Sequence, residues 1–338
     1  MSAQESRGAW DTDVLRRLGP AVSRPAAEAD APPETSEEPP AEPDSRPARE
    51  SPWESRPARR LAKRSGTGPW RRRLAVLSGV LRSDDEPDRR TEDTARCQTA
   101  VSTGRRVAVL AAHGGAGATT LTAGLGMMLA AVRSDYVAVL AGRPDRQVLQ
   151  RRLGCEQPSS MRAARDLLVA HQVDPNVASL DHLAVPGRTR LRAVTQSDDA
   201  DVVVHGADHL SRLHAVTLVD VGPVTDHPVL DNAHGVVVVG RLSVDGVAQV
   251  HQVLGELADR VPLRRLQVVL VETGVDSGVP LAVAHTLLEA YDVAVSALPS
   301  DRHLATGTTI SLALLSDAAA GALTEIAAHA LDIVTARP

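Results

Sequence analysis

The stretch Arg106–Thr120, RVAVLAAHGGAGATT, decides the fold of this chain. An apolar run, Val107 to Ala112, meets a glycine-rich turn, and a helix-like segment follows from Thr119. A strand, a glycine-rich loop and a helix in this order form the context that a phosphate-binding loop needs. Glycines at 114, 115 and 117 let backbone N–H groups turn toward an anion, and the helix dipole favours negative charge there. The sequence therefore predicts a phosphate site at this loop.

The candidate site consists of the loop and the first residues of its helix: His113, Gly114, Gly115, Ala116, Gly117, Ala118, Thr119 and Thr120. Thr119 stands where a hydroxyl can reach a Mg²⁺ ion bound to the phosphates. The position before it, where such loops carry the lysine that binds phosphate, is Ala118. Lys63 is the only lysine of the chain, and codon bias explains part of this low lysine content. Codon bias alone hardly explains the loss of a lysine that phosphate binding requires.

Short apolar runs alternate with amphipathic stretches from Arg105 onward, which predicts an α/β fold. Strands that are continuous Val/Leu runs are usually covered on both faces, as in a doubly wound, mostly parallel sheet. We expect about seven strands: Val107–Ala112, Tyr136–Leu140, Leu180–Val185, Val216–Val221, Gly235–Gly240, Leu266–Val271 and Val293–Leu298.

The first 69 residues are predicted to be a disordered tail. They contain eleven of the 22 prolines and no hydrophobic periodicity, so they bury too little apolar surface to offset chain entropy. Charge is blocky here, with nine carboxylates and two arginines from Glu28 to Glu54, and eight cations without an acid from Arg56 to Arg73. A solvated tail and a docking or regulatory tail both remain open.

Residues 70–82, WRRRLAVLSGVLR, have the pattern of a basic amphipathic helix, because Trp70, Leu74, Leu77 and Leu81 recur on one helical face. Packing on the folded domain, docking of a partner protein and peripheral contact with an anionic membrane surface are the three interpretations. Residues 83–104 are polar and acidic and are interpreted as a linker. The folded domain is then expected to span residues 105–338.

Charge and cysteine content limit the function classes. Residues 107–338 carry 17 basic and 24 acidic residues, an acidic balance that argues against nucleic-acid binding. Two cysteines, Cys97 and Cys155, fit a reducing cytoplasm and offer no disulfide framework. No apolar run is long enough to span a membrane and no leader pattern is present, so we expect a cytoplasmic protein, with peripheral contact at the inner face of the membrane as an option.

The loop HGGAGATT departs from the general pattern G-x-x-x-x-G-K-[ST] and resembles the deviant loop of the MinD/ParA family, K-G-G-x-G-K-[ST]-T. On that alignment His113 and Ala118 replace the two lysines, whereas the three glycines and the hydroxyls of Thr119 and Thr120 are retained. The resemblance covers Arg105 to the C-terminus. Within the family, GGAGATTLTAGLG (114–126), VVVVGRLSVDG (236–246) and DRHLATGTTISLALL (301–315) resemble EspI-like proteins associated with type VII secretion.

The resemblance implies a P-loop NTPase fold of the SIMIBI/MinD type, with ATP and Mg²⁺ as ligands and an ATP-bridged homodimer. LVDVG (218–222) looks like the second metal-site segment, in which Asp220 would hold Mg²⁺ through water. The segment 298–312 is similar to the one that lies near adenine in the family, which places Pro299 and Asp301 on the adenine side.

Several active positions depart from the family pattern. The family's Asp-x-Asp after the second strand is replaced by Ala141 and Arg143, and its adenine-reading Asn by Glu272. Each charge-assisted hydrogen bond to phosphate contributes about 1.5–3 kcal/mol, and one catalytic cation can be worth ~10³–10⁵ in rate. We therefore expect weak or absent ATP binding and little hydrolysis, in a regulator or adaptor of type VII secretion or a related envelope system that acts through protein partners. The alternative is an active Mg-ATP-hydrolysing switch for cell division, partitioning or secretion, in which His113 or Arg143 supplies the cation.

Overall fold

The computed structural model describes residues 86–142, 148–155, 159–160, 166, 183–195, 200–274 and 279–336. The expected tail (1–69), the amphipathic segment 70–82 and Arg143 lie outside the described residues, so these predictions stay predictions.

The core of the domain is a nine-stranded sheet in the order β3-β5-β2-β6-β1-β7-β8-β9, with β4 paired to β5. Every pairing along this order is parallel, and only β4 runs antiparallel to its neighbour. The fold is therefore α/β and doubly wound with a mostly parallel sheet, as the sequence predicts. The strands are β1 (Arg105–Ala111), β2 (Val137–Ala141), β3 (Ser159–Ser160), β4 (Ala184–Val185), β5 (Arg188–Thr195), β6 (Val216–Gly222), β7 (Gly235–Arg241), β8 (Leu266–Val271) and β9 (Ala294–Leu298).

Helices cover both faces of this sheet. In the described residues they are α1 (Glu86–Cys97), α2 (Ala118–Val132), α3 (Val148–Leu153), α4 (Ala200–Leu213), α5 (Val229–Asn232), α6 (Val244–Leu257), α7 (Leu281–Leu288), α8 (Arg302–Ala305) and α9 (Asp317–Thr335). One apolar cluster joins α2 and α9 to one face of the sheet, and a second joins α4 and α6 to the other. Helix α2 lies close to the sheet at Gly126, where a Cβ atom would stand 2.4 Å from Val139 Cγ2.

The sequence predicts two strands too few, because neither β3 nor β5 shows a clear apolar run. Strand β3 has only two residues, Ser159–Ser160. We expected a strand at Leu180–Val185, but the structure describes only Ala184–Val185 there, and β5 begins three residues later. Strand β5 reads RTRLRAVT, and its arginines interrupt the apolar run that a buried strand usually shows. Arg192 is nevertheless buried, and its guanidinium carbon lies 4.8 Å from the centroid of the Tyr136 ring. A cation–π contact thus lets an arginine occupy an interior strand position.

Helix α1 lies in the segment 83–104, which the sequence led us to interpret as a linker. Its sequence EPDRRTEDTARC has almost no apolar residues, so it lacks the hydrophobic stripe from which an amphipathic helix is predicted. Tertiary contacts hold it instead: Cys97 is fully buried and donates its Sγ–H to Thr324 O at 3.5 Å, and Arg96 pairs with Asp332 of α9. The folded unit therefore begins before Arg105.

Acid should destabilise this domain through His214, whose pKa is lowered to about 4, mainly by burial. The unfolded chain binds a proton near pH 6.5, whereas the folded state keeps the ring neutral, with Nδ1–H donating to Leu210 O at 2.9 Å. Stability is therefore lost as pH falls below 6.5, by about 2 kcal/mol from this site between pH 7 and pH 5.

Urea unfolding at both pH values measures this loss. The variant His214→Asn keeps an N–H donor but does not titrate, so its stability should fall less between pH 7 and pH 5. An equally steep fall in that variant would show that other groups are responsible.

Candidate functional site

The loop between β1 and α2 has the backbone that its glycines predict. Gly115 and Gly117 adopt positive φ values of 78° and 99°, a region that side chains with a Cβ rarely enter. Helix α2 begins at Ala118, and no side chain caps its N-terminus. A Cβ atom on Gly114 would meet no neighbour within 4 Å, so packing does not demand that glycine.

Most N–H groups of the loop have no partner within the described protein. Ala116 N–H donates to His113 O at 3.2 Å and Leu121 N–H to Gly117 O at 2.9 Å. No hydrogen bond in the described part of the chain uses the N–H groups between these two anchors, which belong to Gly117, Ala118, Thr119 and Thr120. Open N–H donors at a helix N-terminus attract anions. The loop can therefore receive a phosphate.

His113 is not placed as a phosphate-binding cation. Its Nε2 accepts a hydrogen bond from Arg241 N–H at 3.4 Å, so the ring proton is on Nδ1, which lies 3.0 Å from Gly114 O. Both ring nitrogens are thus engaged: Nε2 links the loop to the end of β7, and Nδ1 is bonded within the loop.

Arg241 is the site residue that sequence reasoning missed. Its Nε donates to Gly115 O at 3.2 Å, and its side chain is exposed. The signal was available in the segment VVVVGRLSVDG: the carboxyl ends of neighbouring parallel strands meet at one edge of a sheet, and this arginine ends a strand of that kind.

Asp220 lies at the same edge of the sheet. It is buried in β6, in register with Val109 of β1 and Ala141 of β2, and its Oδ1 accepts a hydrogen bond from Gly222 N–H at 3.3 Å. Thr119 is half-buried in the first turn of α2. One carboxylate and one hydroxyl suit a Mg²⁺ ion that keeps most of its waters. The described residues contain no cluster of three or more His, Cys, Asp or Glu side chains that could hold a metal by themselves.

Two of the positions that carry charge in the family, the second lysine and the first acid, are apolar here. Ala118, at the place of the second lysine, is 4% exposed, and Ala141, at the place of the first acid, ends β2 at 1% exposed. Neither can supply charge to a phosphate or position an attacking water.

On the predicted adenine side, the carboxylate of Asp301 is used by the fold. Its Oδ1 accepts hydrogen bonds from His303 N–H (2.8 Å) and Leu304 N–H (2.9 Å), and its Oδ2 accepts one from Ser316 N–H (2.9 Å). Glu272, which takes the place of the family's Asn, accepts a hydrogen bond from Ser300 N–H at 3.4 Å. Asp301 therefore shapes this segment rather than presenting a free carboxylate, and adenine contact by Pro299 stays a prediction.

Solved structures with similar architecture identify the fold. The ParA family ATPase from Chlorobium tepidum TLS superimposes with a TM-score of 0.54 over 66% of this chain and 98% of its own, at 14% identity. The cell division ATPase MinD of Pyrococcus furiosus gives a TM-score of 0.52 over 67% of this chain and 98% of its own, at 18% identity. A chain of the MinC:MinD cell division protein complex of Aquifex aeolicus gives a TM-score of 0.50 over 66% of this chain and 93% of its own, at 19% identity. The described domain has the MinD/ParA-like P-loop fold.

A relative with a similar sequence identifies the family. The chain is 32% identical to the ESX-1 secretion-associated protein EspI of Mycobacterium tuberculosis over 248 aligned residues, which cover 67% of this chain. This chain thus belongs to the EspI family, and its described domain has the MinD/ParA-like fold. The match spans 36% of the length of EspI. No protein-family model matches the sequence. None of the described helices is both long and apolar enough to cross a membrane.

Proposed function

We propose that this chain is a nucleotide-binding protein that has lost most ATP turnover and acts as a regulator or adaptor of type VII secretion. The observation that carries the proposal is the loop itself: its N–H groups are open to an anion, while Ala118 and Ala141 stand where lysine and acid support hydrolysis. Binding draws on backbone donors that remain, whereas phosphoryl transfer depends on positioned charge that is missing.

ATP with Mg²⁺ is the proposed ligand. The structural neighbours are named as ATPases, and Thr119 and Asp220 retain the oxygen ligands that would support the metal. When bound, Mg²⁺ would neutralise phosphate charge. The open N–H groups of the loop would orient the phosphates.

Calorimetric titration of Mg-ATP into the full chain, with phosphate release followed on the same sample, tests this proposal. We expect heat of binding without measurable release. Absence of binding heat would contradict nucleotide binding. Phosphate release that is lost in Thr119→Ala and in Asp220→Asn would favour the alternative, an active Mg-ATP-hydrolysing switch.

Restoring the missing lysine should strengthen binding. The variant Ala118→Lys places an ammonium group at the start of α2, and we expect about 10- to 150-fold tighter binding of Mg-ATP, the range of one charge-assisted hydrogen bond. Ala258→Lys, at the exposed C-terminal end of α6, is the matched charge control and should not tighten binding. Equal affinity in the unaltered chain and Ala118→Lys would contradict the prediction that the missing lysine limits Mg-ATP binding.

The adaptor role would use protein partners, through the tail, the Trp70 segment and a homodimer face. The relative is named a secretion-associated protein, and the neighbour MinD is found with MinC. Affinity capture from cell extract with the full chain and with a chain lacking residues 1–69 tests the tail. Unchanged capture after the deletion would remove the tail from the proposal.

A further inference from the structure

The phosphate loop faces an arginine that comes from another strand. Strand β7 lies beside β1 in parallel, and Arg241 is its last residue, so its side chain emerges at the edge where the loop begins. Its Nε donates to Gly115 O at 3.2 Å, and a Cβ atom on Gly115 would stand 3.1 Å from its Nη2. The guanidinium therefore lies directly against the loop.

The backbone of Arg241 is fixed on both sides. Its N–H donates to His113 Nε2 at 3.4 Å, and its carbonyl oxygen accepts from Ser243 N–H at 2.9 Å. The turn into α6 is so tight that a Cβ atom on Gly246 would stand 2.3 Å from Arg241 O. A side chain that starts from so constrained a backbone is well suited to a ligand of fixed geometry.

In the described part of the chain, no carboxylate pairs with the guanidinium of Arg241. A guanidinium has five N–H donors, and only Nε is bonded in the described structure, where no ion pair includes this residue. Arginine matches phosphate oxygens with two parallel hydrogen bonds. The side chain thus brings an available cation to a loop whose two lysine positions hold His113 and Ala118.

We propose that Arg241 is the phosphate-binding cation of this site and takes over the part that lysine plays in related loops. This inference rests on the proposed nucleotide binding. Of the two cations considered from sequence, His113 uses both ring nitrogens within the fold and Arg143 lies outside the described residues. Arg241 binds the phosphates from the β7 side of the loop, and the N–H groups at the start of α2 bind them from the helix.

Calorimetric titration of Mg-ATP into full-length variants tests this inference. Arg241→Ala should weaken binding about 10- to 150-fold, and Arg241→Lys, which keeps the charge but loses the planar fork, should weaken it less. Arg264→Ala is the matched control, because Arg264 is equally exposed but precedes β8 at the opposite edge of the sheet. Its affinity should equal that of the unaltered chain. Thermal unfolding of each variant checks that the fold is kept.

A double variant separates a role in phosphate binding from a merely structural one. If Arg241 supplies the missing cation, Ala118→Lys should restore Mg-ATP binding to Arg241→Ala, whereas a loop that has collapsed would not regain it. Binding by the unaltered chain with no loss in Arg241→Ala would overturn this inference and leave the proposed function standing. Absence of binding by the unaltered chain would overturn both.

Discussion

Replacing Arg133 by alanine is expected to lower the free energy of unfolding by about 1–3 kcal/mol, the cost of leaving the buried carbonyl acceptor of Cys97 without its donor. Arg133 is 3% exposed, and its Nε and Nη2 each donate to Asp135 at 2.7 Å. Its Nη1 donates to Cys97 O at 2.6 Å and to Thr99 O at 3.1 Å. The substitution would leave the end of α1 without these donors.

Urea unfolding followed by circular dichroism measures this loss. Arg133→Lys keeps the charge but replaces three donor nitrogens in a planar fork by one, so it should lie between alanine and the unaltered chain. Arg212→Ala is a suitable control, because it breaks only an exposed i,i+4 pair with Asp208 and should change stability by less than about 0.5 kcal/mol. A loss below about 1 kcal/mol for Arg133→Ala would contradict our view that this arginine anchors α1. Limited proteolysis should also cut Glu86–Cys97 faster in that variant.

Replacing Asp301 by alanine is expected to cost about 3 kcal/mol, because one side chain caps the start of α8 and also binds Ser316 N–H at the start of α9. Three N–H groups would lose their acceptor together. Asp301→Asn retains one carbonyl acceptor and should lose less. Asp317→Ala, an exposed acid in the first turn of α9, should change stability by less than about 1 kcal/mol.

The same carboxylate should show a characteristic pH dependence. Burial alone would raise the pKa of Asp301, but hydrogen bonds from Ser316, Leu304 and His303 outweigh it and hold the pKa below its usual value. The stabilisation is therefore complete above the ordinary Asp range and is lost as pH falls through the lowered pKa. The difference between the unaltered chain and Asp301→Ala should shrink in strong acid. A constant difference from pH 7 to pH 2 would contradict this assignment.

The parallel sheet was predictable because its central strands are continuous apolar runs bounded by glycine or polar residues. Strands β1, β6, β7, β8 and β9 all lie within two residues of their expected positions. Strand β5 and helix α1 were not predictable, since their interiors contain arginines and acids that only tertiary partners make tolerable. Tyr136 stacks under Arg192, and Asp332 pairs with Arg96. Neither partner is close in sequence to the residue that it supports.

By itself, the sequence determined the conformation of the glycine-rich loop, because positive φ values at Gly115 and Gly117 and the start of a helix are local properties of adjacent residues. The sequence also showed which charges are missing, since Ala118 and Ala141 stand where the family has a lysine and an acid. Only the tertiary structure decided that Arg241 meets Gly115, 126 residues away, and that Asp301 caps α8 and also binds Ser316 at the start of α9. Such contacts depend on strand order and on which segments meet at one sheet edge, and no local pattern encodes either.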